Sequence, residues 1–224
     1  MKFVVIEGID GSGKSTQIGL LRKHLDNKKI SYKYLHFPRT DSPVFGDLIS
    51  MFLRGDLGEL GSVNPYLIAL IYAGDRHDAK ALINRWLKEG HFVIVDRYVS
   101  SNIAFQCAKI SKQEDQVKLK DWILKLEYEY YRIPRPDMEL FLDVPFSFTE
   151  SKLKVTREGE DRRYLNGQVD IHEQDLEFQR GVRKVYLELT TELPRFFRID
   201  CSDNKNGILA PGDVFKKIAE QLGI

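Results

Sequence analysis

Several short stretches of this chain carry residue types at spacings suited to handling phosphate. Gly8-Ile-Asp-Gly-Ser-Gly13-Lys14-Ser15 fits GxxxxGK[ST] throughout, between an apolar run, FVVIE, and a helical pattern, TQIGLLRKHL. Glycines let such a loop wrap so that its N–H groups and the following helix N-terminus face phosphate oxygens. Lys14 brings positive charge to the β and γ phosphates, and the Ser15 hydroxyl is placed to hold a bridging Mg²⁺. Gly8, Gly11, Ser12, Gly13, Lys14, Ser15 and Thr16 are therefore the candidate ATP contacts. A guanine reader of the form Asn-Lys-x-Asp is missing, because Asn27-Lys28 and Asn204-Lys205 lack the aspartate. A second acidic-basic pair, Asp96-Arg97, closes the apolar run HFVIV. There Asp96 is positioned to meet Mg²⁺ or its water shell, and Arg97 to enter the same crevice.

Elements that would position these residues follow from periodicity. Short β-branched runs at Lys2–Ile6, Tyr32–Phe37, Phe92–Val95, Glu139–Leu142 and Phe196–Ile199 alternate with longer helical patterns. That alternation predicts an α/β fold, a five-stranded parallel sheet with helices on both faces. Asn64-Pro65 reads as an N-cap with proline at the first helical position, and Gly90 as the stop after Lys88 or Glu89. Tyr66–Ala73 is apolar on every side, which predicts a buried first half for that helix. The charged run Thr156–Arg163 breaks a helical pattern, so one domain over 1–224 with a mobile lid at about 150–166 fits best.

Composition excludes several classes. Basic and acidic residues number 34 and 33, without the excess that coating nucleic acid or anionic membrane requires. The apolar run at the N-terminus ends at Glu7, short of a secretory signal, and no stretch approaches the ~20 residues of a membrane span. Cys107 and Cys201 lie far apart without a CxxC spacing, as structural thiols of a reducing compartment do. These features point to a cytoplasmic protein.

Taken together, FVVIEGIDGSGKSTQ, Phe37-Pro38-Arg39, Leu70-Ile-Tyr-Ala-Gly-Asp-Arg76, DRYVSSNIAFQ and Pro136-Asp137 resemble the thymidylate kinase family, in family order and over nearly the whole chain. The resemblance implies a P-loop kinase fold, ATP with Mg²⁺ as donor, thymidine monophosphate (dTMP) as acceptor and a homodimer. It also implies roles for individual residues. Tyr72 stacks on the thymine ring, where phenylalanine is more usual, and Arg76, on the same helix face, bonds the base edge. Arg39 and Arg97 grip the acceptor phosphate, for which a planar guanidinium fork is well shaped. Phe37 lines the deoxyribose side, and Asn102, with Ser101 beside it, reads the pyrimidine amide. Phe105 and Tyr164 crowd the sugar 2′ position. Asp10 touches the 3′ hydroxyl and orients Arg97. Gly11 stands where some members carry an arginine, and members without it supply lid arginines, here Arg157, Arg162 and Arg163.

The implied reaction moves the γ-phosphoryl of Mg·ATP onto the acceptor's 5′ phosphate. That phosphate is mostly a dianion at neutral pH, so the site needs positive charge more than a general base. Two alternatives of different kinds stand beside it: a kinase for another nucleoside monophosphate or nucleoside, and a P-loop ATPase or switch that answers to a macromolecule.

Overall fold

A computed structural model describes residues 2–153, 165, 170–172, 175–203 and 207–224. Its sheet has five strands, β1 (Phe3–Glu7), β2 (Tyr32–His36), β3 (Phe92–Asp96), β4 (Met138–Asp143) and β5 (Phe196–Asp200). They lie in the order β2-β3-β1-β4-β5, and every pairing is parallel. Each strand falls within a residue or two of an apolar run in the sequence. A parallel sheet covered on both faces is buried throughout, so its strands read as unbroken apolar stretches instead of alternating ones.

Alternate strand residues feed two cores. Phe3, Val5, Val93, Val95 and Phe141 pack with α3 (Pro65–Lys88), α4 (Val99–Cys107), α5 (Gln113–Leu124) and α7 (Leu176–Glu192). Val4, Ile6, Ile94, Leu140 and Leu142 face the opposite way, onto α1 (Lys14–Asn27) and α8 (Pro211–Leu222). The helices after β1 and β3 therefore leave on opposite faces. The crevice between those strand ends is the switch point at which open α/β sheets bind ligands.

The Asn64 side chain caps α3 by accepting from Tyr66 N at 2.9 Å, and Gly90 follows its end with φ 84°. Burial of the first half of α3 is corrected by the structure. Ile68, Ala69 and Ala73 are buried, but Leu67 is 58% and Leu70 39% exposed. One side of the helix meets the sheet core and α2 (Phe45–Leu53), while these two leucines, three residues apart, share the outer side. Both cysteines are free and buried, and burial, as the largest influence, pushes each thiol up to about 12. Residues 150–153 of the expected lid complete α6 (Phe146–Leu153); Arg157, Arg162, Arg163 and Tyr164 lie outside the described residues.

Candidate active site

Register brings three loops to one place. Ile6 pairs with Asp96 and His36 pairs with Asp96, so β1, β3 and β2 end side by side. Arg97 N donates to Ile6 O at 3.1 Å and Phe37 N to Asp96 O at 2.9 Å. The P-loop, Asp96-Arg97 and Phe37-Pro38-Arg39 consequently rim a single crevice.

The loop after β1 turns through left-handed backbone at Gly11 (φ 76°) and Gly13 (φ 82°), a region where a Cβ would be strained. Helix α1 then starts at Lys14 with no acidic residue in its first turn, leaving its positive end free for an anion. Lys14 Nζ folds back over the loop, donating to Gly8 O and Ile9 O at 3.3 Å each. Burial and the nearby Arg97 pull its ammonium down to about 8, against the opposing pull of Asp96, Asp10 and Glu7. Ser12 Oγ is buried without a hydrogen-bond partner, whereas Ser15 and Thr16 are exposed at the helix start.

Arg97 adopts φ 65°, a conformation seldom used by non-glycine residues and one that turns its side chain toward the P-loop. Its Nη2 donates to Asp10 Oδ1 at 2.6 Å, its Nη1 to Ser101 Oγ at 3.3 Å, and its guanidinium lies 4.9 Å from the centre of the Phe105 ring. Burial works to raise the Asp10 carboxyl, yet Arg97 and Lys14 prevail and hold it at about 2. Gln179 locks the same aspartate: its Nε2 donates to Asp10 Oδ2 at 2.8 Å and its Oε1 accepts from Asp10 N at 3.2 Å. Beneath them lies Glu7, fully buried. It accepts from Tyr98 N, Ser101 N, Ser101 Oγ and Tyr186 OH, so Ser101 ties the strand end to Arg97.

Asp96 is a buried anion. Burial raises its carboxyl, but the bond with His36 and the charges of Lys14 and Arg97 bring it below the usual range. One oxygen meets His36 Nδ1 at 3.3 Å; the other, Oδ1, is buried with no partner. An ionised carboxylate with a free oxygen beside the phosphate cradle suits Mg²⁺ or its water shell. No cluster of three or more metal-ligating side chains occurs among the described residues. Phosphates and water would complete such an ion's shell, the ordinary arrangement for Mg²⁺.

On the far wall, Tyr72 packs among Ile49, Phe52 and Ile68. Burial first, then Asp170 and Asp10, raise its phenol, and Arg97 and Arg76 oppose them, so its hydroxyl shares the crevice with those charges. Arg76 is buried and bidentate to Glu127, at 2.5 and 2.7 Å. The Asn102 amide nitrogen donates to Ala69 O and Glu127 Oε1, each at 3.0 Å, and its Oδ1 is buried without a partner. Phe105 meets His172 and Phe178 with ring centres 5.0 and 5.9 Å apart. Burial and Lys109 keep the His172 imidazole well below its usual value, hence neutral.

Two expected contacts sit differently. Arg39 does not present an open fork: Nε donates to Asp75 Oδ1 at 2.8 Å and Nη2 to Asp78 Oδ2 at 2.6 Å, because α3 places both carboxylates beneath the loop. Phe37 is fully buried against Tyr98, in the core floor under the crevice. Sequence reasoning missed Glu7, Gln179, His172 and Glu127. Glu7 had a signal, as the charge that ends an apolar strand beside the P-loop. Gln179, His172 and Glu127 had none, since only the fold brings them near residues far away in the chain.

A glycine-rich phosphate cradle at the switch point of a five-stranded parallel sheet, with a buried arginine facing its lysine, defines a P-loop kinase fold. The model of one family, thymidylate kinase, matches residues 6–210. A probable thymidylate kinase of Pyrobaculum aerophilum is 35% identical over 86% of this chain and 84% of its own length. A second, from Saccharolobus solfataricus, is 31% identical over 93% of each. Among solved structures, thymidylate kinase from Candida albicans superposes with a TM-score of 0.73 at 26% identity, covering 99% of this chain and 91% of that one. This chain belongs to the thymidylate kinase family.

Proposed function

We propose that the chain transfers the γ-phosphoryl group of ATP to the 5′ phosphate of dTMP, releasing ADP and dTDP. The observation that carries this reading is the facing of two buried cations across one crevice. Lys14 is depressed partly by Arg97, and Arg97 is anchored to Asp10 inside the P-loop itself. Two cations that repel each other in a desolvated crevice are relieved by anions placed between them, which is what donor and acceptor phosphates supply.

In this reading Gly8, Gly11, Ser12, Gly13, Ser15 and Thr16 wrap the donor phosphates, and Lys14 swings from the loop carbonyls onto the β and γ oxygens. Ser15 and Asp96 would hold Mg²⁺, which when bound would neutralise charge on the donor phosphates. Arg97 grips the acceptor phosphate, held in line by Asp10, Ser101 and Gln179. Tyr72 stacks on the base. Arg76 and Asn102 face its edge, Asn102 offering an acceptor still in need of an N–H. Phe105 and His172 stand on the sugar side. Arg39 reaches the acceptor phosphate by leaving Asp78, the more exposed of its two partners. Arg157, Arg162, Arg163 and Tyr164 complete the site from a lid at about 150–166 of a single domain.

A homodimer is supported by Leu67 and Leu70, which expose an apolar strip on α3. No described helix is long and apolar enough to cross a membrane, in keeping with work in the cytoplasm. ADP release with ATP and a panel of nucleoside monophosphates, each against a blank without acceptor, tests the activity. Release that depends on dTMP is expected. Release indifferent to any monophosphate would instead mark a P-loop ATPase.

A further inference from the structure

Arg76 and Asn102 reach the crevice from different helices, and one carboxylate, Glu127, holds both. It has no solvent exposure and sits on a π-helical turn, Lys125–Tyr130, that continues α5. Such turns carry an extra residue relative to an α-helix and re-aim the side chains that follow. Glu127 Oε2 accepts from Arg76 Nε at 2.5 Å, and Oε1 accepts from both Arg76 Nη2 at 2.7 Å and Asn102 Nδ2 at 3.0 Å.

The second amide hydrogen of Asn102 is given to Ala69 O at 3.0 Å. Both partners of Nδ2, a carboxylate and a carbonyl, can only accept. The amide therefore cannot turn over without setting oxygen against oxygen twice. Its Oδ1 is fixed as an acceptor, buried and without a partner until a donor arrives. Arg76, joined to Asn102 through the shared Glu127 Oε1, keeps guanidinium hydrogens that Glu127 leaves unused. A donor next to an acceptor complements a base edge that carries a carbonyl next to an N–H, as a 4-keto pyrimidine does. A 4-amino pyrimidine presents an amino group and a bare ring nitrogen there, donor to donor and acceptor to acceptor.

We propose that Glu127 is the positioning residue that makes this site choose 4-keto over 4-amino pyrimidine nucleotides. The proposal rests on the reading of the crevice as the acceptor site of a kinase. Three donors converge on two oxygens, so only a carboxylate satisfies them all. An amide at 127 turns an N–H toward Arg76 or Asn102 in either orientation, which loosens the guanidinium and frees the Asn102 amide to flip.

The test uses the full chain with Glu127→Gln and Glu127→Asp, measuring kcat/KM for dTMP, dUMP and dCMP, KM for ATP, and the thermal midpoint. Wild type should favour dTMP and dUMP over dCMP by about 10²-fold or more. Glu127→Gln should shrink that ratio roughly tenfold or more, through a higher KM for dTMP, with KM for ATP within about twofold. Glu127→Asp, which keeps the charge on a shorter arm, should move the ratio the same way by less. If Glu127→Gln does not fold, the ratio in Glu127→Asp decides. A folded variant whose ratio matches wild type reduces Glu127 to a counter-ion for Arg76 and overturns the proposal, while leaving the kinase reading intact. Wild-type turnover of dCMP equal to that of dTMP overturns it too. A wild type that responds to no monophosphate refutes the underlying reading instead.

Discussion

The two walls of the crevice are built in opposite ways. The phosphate cradle takes consecutive residues, Gly8–Ser15, and works mainly through backbone, helix end and one lysine. The facing wall assembles Arg39, Tyr72 with Arg76, Arg97 with Asn102 and Phe105, and Gln179 from separate elements, and nearly every polar member is already paired. Arg97 is held by Asp10, Arg39 by Asp75 and Asp78, and Arg76 by Glu127. A generic ligand such as a triphosphate is met by a local motif with open valences. On the proposed reading a particular acceptor is met by side chains that buried partners hold in advance, so that, Arg39 apart, little reorganisation is left when it binds.

That contrast can be broken from either side. Lys14→Met should have the largest effect, lowering kcat/KM for ATP by roughly 10³-fold with the fold retained, as steady-state kinetics with circular dichroism would reveal. Near-normal turnover would remove the cradle from the chemistry. Arg97→Ala should cut turnover of dTMP by about 10²–10³-fold while ATP affinity, read by calorimetry, stays within a few-fold. Equal losses for both substrates would erase the division between the walls. Phe105→Ala should narrow the preference for deoxyribo- over ribonucleotides by roughly tenfold; a fixed ratio places the steric gate elsewhere.

The smallest effect is in the pH profile. Lys14 is protonated in the free enzyme only up to about pH 8, and ATP needs the charged form. The logarithm of kcat/KM for ATP should therefore fall above about pH 8, while kcat falls only at higher pH because bound phosphates hold the proton. In the same window stability should rise with pH: the unfolded chain binds this proton up to its ordinary value of 10.5, the folded chain only to about 8. Parallel profiles for kcat and kcat/KM would contradict a depressed Lys14.

The contrast also explains what could be read from the residues alone. All five strands were legible, because a sheet buried on both faces leaves continuous apolar runs. Asn64-Pro65 marked the start of α3 through cap chemistry that is strictly local. The exposed Leu67 and Leu70 were not legible, since an apolar stretch in a helix looks the same whether it faces a core or an open surface. Lys14, Arg97 and the Asp10 that orients Arg97 could be found by motif and resemblance, but the carboxylates that aim Arg76 and Arg39 could not. Glu127 lies 51 residues from Arg76, and Gln179 lies 169 residues from Asp10. Contacts at that separation leave no periodicity behind. The ion pairs of Arg39 with Asp75 and Asp78 belong to the same class, and they turned an expected open fork into a partnered one.

The most direct measurement is a crystal structure of the full chain with adenosine and thymidine joined through a chain of five phosphates. Lys14 Nζ should lie within about 3 Å of an oxygen on the adenosine side, and an Arg97 guanidinium nitrogen equally close to an oxygen on the thymidine side, with thymine N3 donating to Asn102 Oδ1. A ligand bound with its thymidine outside the crevice, or with Arg97 still turned to Asp10 and touching no phosphate, would contradict the division into donor and acceptor walls.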